Sequence, residues 1–202
     1  MVRKLLVNTM LSLDGVMQAP GGPEEDEEGG FRFGGWTAPL ADDGLVDAEE
    51  GAMSGPFDLL LGRRTYEIWA GYWPTAPDEA PPKKPFNDAT KFVASRTGRS
   101  LDWGPAQPIG DAAKDVADLK ATDGPDLHVW GSGNLLQTLM SAGLIDEYLL
   151  MTFPVTIGTG KRLFADGTVP ASLRLIQGSI SRNGIVIARY ERAGELATGS
   201  FA

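Results

Sequence analysis

The chain has 202 residues, is 42% hydrophobic, carries a formal net charge of −9 and contains no cysteine and one histidine. This length suits a single domain with its own core, and the missing cysteines exclude disulfides, thiolate catalysis and cysteine metal sites. The acidic balance argues against nucleic-acid binding, and no apolar run reaches the roughly 18 residues of a membrane span, so a cytoplasmic setting is expected.

Lys4 to Leu13 is apolar and β-prone, with Asn8, Ser12 and Asp14 interrupting it, and reads as a buried first strand rather than a leader. Pro20 to Gly30, with its acidic run Glu24-Glu25-Asp26-Glu27-Glu28, reads as a solvated loop. A helix follows Pro39, with Asp42 or Asp43 as its N-cap and Leu45, Val46, Ala48, Ala52 and Met53 as apolar positions. Phe57 to Leu61 is a strand and Thr65 to Ala70 its helix. The proline-rich stretch Tyr72 to Asn87 reads as loop. Next come a strand at Lys91 to Ser95, a helix at Asp111 to Ala121 and a strand at Leu127 to Trp130. A helix bearing Leu135, Leu136, Leu139 and Met140 ends near Gly143. Glu147 to Val155 is a strand. Two more, Ser172 to Ser181 and Gly184 to Glu191, meet at Arg182-Asn183-Gly184, a strong hairpin signal. This order predicts an α/β fold: right-handed βαβ units make a mostly parallel sheet, and the terminal hairpin makes it mixed. The domain is expected over 1–193, with a frayed tail at 194–202.

Three strand ends carry groups suited to phosphate. Gly131-Ser132-Gly133 lies between a strand and a helix, where unpaired N–H groups and the helix dipole favour an anion. It lacks the third glycine of a dinucleotide fingerprint, and an ordinary tight turn would use the same residues. Gly62-Arg63-Arg64-Thr65 sets two guanidinium forks and a hydroxyl at the next helix start. Ser95-Arg96-Thr97 repeats the theme. If these strands are adjacent and parallel, their ends share one crevice. Asp14 closes the first strand as a turn aspartate or a functional carboxylate. Trp36 and Pro39 precede Asp42, itself an N-cap or a substrate acid. Trp69, Tyr72 and Trp73 form an aromatic cluster suited to core packing, and His128 is expected to be buried in its strand.

These segments together resemble the dihydrofolate reductase-like superfamily, in particular stand-alone proteins like the C-terminal reductase domain of riboflavin-biosynthesis deaminase-reductases. The likeness rests on Ser12-Leu13-Asp14-Gly15, Leu61-Gly62-Arg63-Arg64-Thr65-Tyr66-Glu67, Lys91-Phe92-Val93-Ala94-Ser95-Arg96 and Trp130-Gly131-Ser132-Gly133. It continues through Gly143-Leu144-Ile145-Asp146-Glu147, Pro154 to Gly160 and Leu163-Phe164. Two positions depart from it: Ser132 stands where adjacent glycines are usual, and Trp69 stands where the riboflavin reductases carry an aspartate.

The resemblance implies a three-layer α/β/α fold with a mixed sheet, NADPH as hydride donor, and a homodimer. It implies that Gly62, Arg63, Arg64, Thr65, Ser95 and Arg96 surround the adenosine phosphate end. Gly131, Ser132, Gly133, Asn134 and Leu135 would hold the pyrophosphate, with Gly15 and Asp14 near the nicotinamide. An unusual cis peptide is expected between Gly131 and Ser132. Trp36 and Tyr66 are expected at the substrate, with Asp14 or Asp42 binding it or relaying a proton. The expected reaction is hydride transfer from NADPH to a small pterin-, pyrimidine- or ribityl-type heterocycle; the alternative is a non-catalytic NADP(H)-binding homodimer. Apolar residues of the closing strands (Leu149, Leu150, Met151, Phe153, Ile185, Val186 and Ile187) are expected to need a partner to cover them.

Overall fold

Alternation of apolar strands with amphipathic helices gives, in the computed structural model, one sheet with helices on both faces; residues 2–96 and 100–201 are described. The elements are β1 (Leu5–Ser12), α1 (Asp43–Ala52), β2 (Phe57–Gly62), α2 (Arg63–Tyr72), α3 (Lys83–Asp88), β3 (Lys91–Ala94) and β4 (Ala106–Ile109). They continue with α4 (Ala112–Lys120), β5 (Asp126–Val129), α5 (Gly133–Ser141), β6 (Glu147–Phe153), β7 (Ser172–Ile180) and β8 (Val186–Gly194). Strand order across the sheet is β4-β3-β2-β5-β1-β6-β8-β7. β1 to β6 pair in parallel, and β8 and β7 add antiparallel strands at one edge.

The connections run in opposite directions on either side of the β2–β5 contact. From β2 the chain moves outward to β3; from β5 it moves the other way, past β1, to β6. Right-handed crossovers in opposite senses put their helices on opposite faces. Burial agrees. Leu5, Val7, Leu60, Leu127 and Val129 pack with Val116 of α4 and Leu135, Leu136 and Leu139 of α5. On the other face, Leu59 and Leu61 pack with Tyr66 of α2 and Phe86 of α3, while Leu149, Met151 and Phe153 pack with Leu45 of α1. Alternation along each strand divides its side chains between these layers.

Two elements were missed in the sequence because proline disguised them. The stretch read as loop contains α3, whose Pro82 is the N-cap and whose Pro85 falls in the first turn, where no N–H is needed. β4 contains Pro108 and is the outermost strand, the place where a strand tolerates proline. The acidic loop is solvated as expected at Glu24, Glu27 and Glu28, but it is anchored in its middle. Asp26 is buried and pairs with Lys161 at 2.6 Å, Glu25 accepts from Gly21 N–H, and Phe31 is buried beside Val16.

The closing strands also correct the expectation of an uncovered surface. Leu149, Leu150, Met151, Phe153, Ile185 and Ile187 are buried within the chain; of that set only Val186 is exposed. The exposed apolar residues of this edge are instead Leu173, Leu175, Ile176 and Ile180 of β7. Beyond β8 no described residue belongs to a helix or strand.

Candidate functional site

Because β3, β2, β5 and β1 are consecutive parallel neighbours, their carboxyl ends at Ala94, Gly62, Val129 and Ser12 lie along one edge of the sheet. The reversal of strand order between β2 and β5 falls in the middle of this edge, where open α/β sheets form a crevice. Both α2 and α5 begin there. Side chains cap α1 and α4, Asp42 accepting from Leu45 N–H and Asp111 from Lys114 N–H. Neither α2 nor α5 has a side-chain cap, so their first N–H groups face the crevice without one.

Ser132 ties the two turns together. Its hydroxyl accepts from Gly62 N–H at 2.8 Å and donates to Thr65 Oγ1 at 2.8 Å. The expected cis peptide is absent: every described peptide bond is trans, and the turn is made instead by Ser132 in the left-handed region, at φ 71° and ψ 60°. That conformation costs a residue with a Cβ roughly 1–2 kcal/mol, which two hydrogen bonds offset. Glycine suits position 62 in this contact, since a Cβ there would lie a tight 3.1 Å from the Ser132 side chain. Gly131 and Gly133 are different. A Cβ on either would meet nothing nearer than 3.7 Å and 3.9 Å, and neither has a positive φ. Neither packing nor backbone conformation demands glycine at these two positions, where a Cβ would make only ordinary van der Waals contact; they leave the backbone at the start of α5 bare of side chains.

The cationic residues divide. Arg63 pairs with Glu67 at 2.8 Å and lies over the Tyr66 ring at 5.7 Å. Arg64 is exposed and pairs with Asp26 at 3.4 Å. Arg96 is exposed just past β3, where Ser95 N–H bonds Ile109. Thr97 lies outside the described residues. Asn134 is exposed at the second position of α5, whereas the Leu135 side chain is buried, so only its backbone faces the crevice. Met17 approaches Gly133 and Asp26 approaches Arg64, so the β1–α1 connection crosses the mouth of the crevice.

Asp14 belongs to the tight turn after β1, where Gly15 takes φ 80°. Its carboxylate accepts from the Ser12 hydroxyl at 2.6 Å, from Ile157 and Gly158 N–H, and from Arg162. The Ser12 hydroxyl, then these backbone donors, hold it well below the usual carboxylate range. Near neutral pH it carries no proton to give, and it fixes the turn to the 157–162 segment. Asp42 caps α1 and accepts Asn183 N–H at 2.7 Å, so it sits at the β7–β8 turn rather than beside Asp14; the Asn183 bond chiefly lowers its pKa. The Trp36 indole donates to Gln18 C=O and packs edge-on against Phe153 at 5.4 Å. Tyr66 is buried in the α2–α3 cluster and its hydroxyl accepts Trp103 N–H at 2.7 Å.

Sequence reasoning passed over a set of polar groups on the α1–α2 face. Asn8 is 0% exposed and, among the described residues, neither atom of its amide has a hydrogen-bond partner; the Trp130 and Trp73 indole nitrogens are likewise buried without one. Leaving such a group unsatisfied costs about 1–3 kcal/mol. Asn8 follows Val7, the last residue of β1 paired with β5, and so stands level with Trp130, the residue before Gly131. The Glu49 carboxyl on α1, one turn beyond Leu45, makes no hydrogen bond or ion pair among the described residues, and burial pushes it up to about 7. The signal in the sequence was an asparagine in the middle of an apolar strand.

The family model described as RibD C-terminal domain matches residues 3–187. The chain belongs to the RibD C-terminal domain family. One relative is an uncharacterized protein of Bacillus subtilis, YyaP, 26% identical over 195 residues that cover 95% of this chain and 96% of that one. Among solved structures, a pyrimidine reductase-like protein from Corynebacterium diphtheriae superposes with a TM-score of 0.64 at 13% identity, covering 96% of this chain and 93% of that one. A dihydrofolate reductase from Enterococcus faecalis, complexed with NADP(H), superposes with a TM-score of 0.58 at 13% identity, covering 94% and 96%. The RibD C-terminal fold here is therefore the three-layer, dihydrofolate reductase-like one, with a mixed sheet.

Proposed function

We propose that the protein is an NADPH-dependent reductase of a small nitrogen heterocycle of pterin, pyrimidine or ribityl type. The observation that carries this reading is the open backbone at Gly131 and Gly133, at the uncapped start of α5 and at the reversal point of the sheet. The residues fit the cofactor. In this reading the N–H groups of Gly133, Asn134 and Leu135 hold the pyrophosphate, an arrangement that helix N-termini favour. Arg64 and Arg96, exposed on either side, take the adenosine phosphate; Arg63 is committed to Glu67 and supports α2 instead. Gly62, Thr65 and Ser132 spend their hydroxyls and the Gly62 N–H on one another, and hold the two turns at a fixed separation. The Asp14-Gly15 turn borders the nicotinamide end, and Trp36 lies on the substrate side. NADPH bound there supplies a hydride, and one proton from solvent completes reduction of a C=N or C=O bond.

A second reading keeps cofactor binding without turnover. It is favoured by one observation: Asp14 and Asp42, the two acids expected to serve the substrate, are both occupied by structural hydrogen bonds. One assay separates the two. Oxidation of NADPH by the protein is followed against pterins, dihydropterins and aminopyrimidines. Substrate-dependent oxidation that saturates supports the reductase; NADPH binding with no oxidation across the panel leaves the binding protein.

A further inference from the structure

The unpaired buried groups of the α1–α2 face include a complete side-chain amide. Asn8 presents a carbonyl and an amino group side by side, fully buried and without partners. In register Asn8 lies beside Leu149, which packs on α1, and level with Trp130, which packs against both the α1 and the α2–α3 clusters. Trp130 therefore marks the seam between the two helical layers on this face. Its indole N–H is also unpaired, and so is that of Trp73; both rings stand edge-on to Phe86, at 5.5 Å and 5.1 Å. Glu49 adds an unpartnered carboxyl from α1 on the side of Leu45. Three buried side chains with unmet hydrogen-bonding capacity, Asn8, Trp130 and Trp73, thus belong to one face, with the Glu49 carboxyl on α1 beside it, and Trp130 runs directly into the Gly131–Ser132 turn.

We infer that Asn8, with the Trp130 N–H beside it, is a specificity-determining residue that reads the edge of a flat nitrogen heterocycle entering the α1–α2 seam. A carboxamide is complementary to a lactam or aminopyrimidine edge, in which a ring N–H or amino donor adjoins a ring nitrogen or carbonyl acceptor. A carbocycle of the same size leaves both of its atoms unmet, and such a site discriminates strongly against a ligand that cannot pair with it. The indoles and Phe86 give the flat apolar surroundings that make those hydrogen bonds count. The inference rests on the reductase reading, because it places the ring against the same turn as the cofactor.

The test uses the whole chain saturated with NADP⁺, which cannot turn over, and calorimetric titration with pterin, uracil and a carbocyclic analogue of equal size. The parent is expected to bind at least one heterocycle and to reject the carbocycle. Asn8→Leu is expected to weaken heterocycle binding by at least about tenfold while NADP⁺ affinity holds, with a thermal midpoint equal to or above the parent's, since an unmet buried amide is removed. Asn8→Ala serves if leucine overfills the space. Unchanged heterocycle affinity in both variants, equal binding of the carbocycle, or no heterocycle binding by the parent overturns the inference; the unpaired amide then holds only buried water. Failure of the parent to bind NADP⁺ overturns the reductase reading instead.

Discussion

His128 shows how one side chain ties stability to pH. It is buried in β5, stacked on Phe57 at 4.7 Å, and burial pushes its imidazole down to about 4. Above pH 6.5 the ring is neutral in both states. As pH falls from 6.5 towards 4, the unfolded chain takes up a proton that the folded chain refuses, so stability is lost across that window, on the order of 3 kcal/mol in all. Glu49 acts with the opposite sign over part of the same range, because its raised pKa makes the folded state the better proton acceptor between 7 and 4.5. Comparing the parent with His128→Phe isolates the imidazole: the variant should gain relative stability as pH drops from 7 to 4.5 in urea unfolding, and parallel curves would refute this. At Ser132 the conformation and the hydroxyl oppose each other. Ser132→Ala keeps the left-handed backbone and loses both hydrogen bonds, with an expected loss of about 1–3 kcal/mol; Ser132→Gly also relieves the backbone and should lose about 1 kcal/mol less. Thermal unfolding that ranks the two variants the other way would contradict the role assigned to the hydroxyl.

The elements explain which parts of the molecule were legible. Strands β1, β2, β5 and β6 announced themselves as apolar runs, and the Asn183-Gly184 hairpin by its turn chemistry, with Gly184 at φ 84° as that turn requires. The cap of α1 was legible as Asp42 or Asp43 because the acids precede an apolar pattern, and the structure selects Asp42. Pro82 and Pro108 misled because proline breaks an element only where an N–H is needed, and neither position needs one. The phosphate-suited loops could be found singly, but not the exchange of hydrogen bonds among Gly62, Thr65 and Ser132, which joins residues about seventy apart and depends on β2 and β5 being neighbours. Nor could the sequence separate Arg63 from Arg64, since the difference lies in the Glu67 pairing. It follows that Arg64→Ala combined with Arg96→Ala should remove most of any preference for NADPH over NADH. That preference is expected to be at least about tenfold, roughly 1.4 kcal/mol, in the parent. Arg63→Ala should mainly lower the thermal midpoint. Competition titrations with both cofactors check this, and a preference that survives the double substitution would move the phosphate elsewhere.

At the scale of the whole molecule, the sheet has one well-covered centre and one bare edge. β7 is mostly exposed, and Leu175, Ile176 and Ile180 face solvent together with Val186 of β8. An edge strand of that composition invites pairing, and a two-fold dimer is the commonest way to cover it. Sedimentation is expected to show twice the mass of the chain, and Ile176→Glu with Ile180→Glu to return it to a monomer; a monomeric parent at micromolar concentration would count against the dimer. NADPH binding in the crevice at the β2–β5 reversal needs the backbone at the start of α5 bare of side chains. Titration of NADPH by tryptophan fluorescence into the parent and Gly133→Val tests it most directly. A Cβ at this position meets only Met17, at 3.9 Å, so the variant should fold as the parent does while its branches fill the proposed phosphate space. Saturable binding is expected for the parent, with a loss of at least about tenfold in the variant at an unchanged thermal midpoint. Equal affinity in the two proteins, or no binding by the parent, would contradict it.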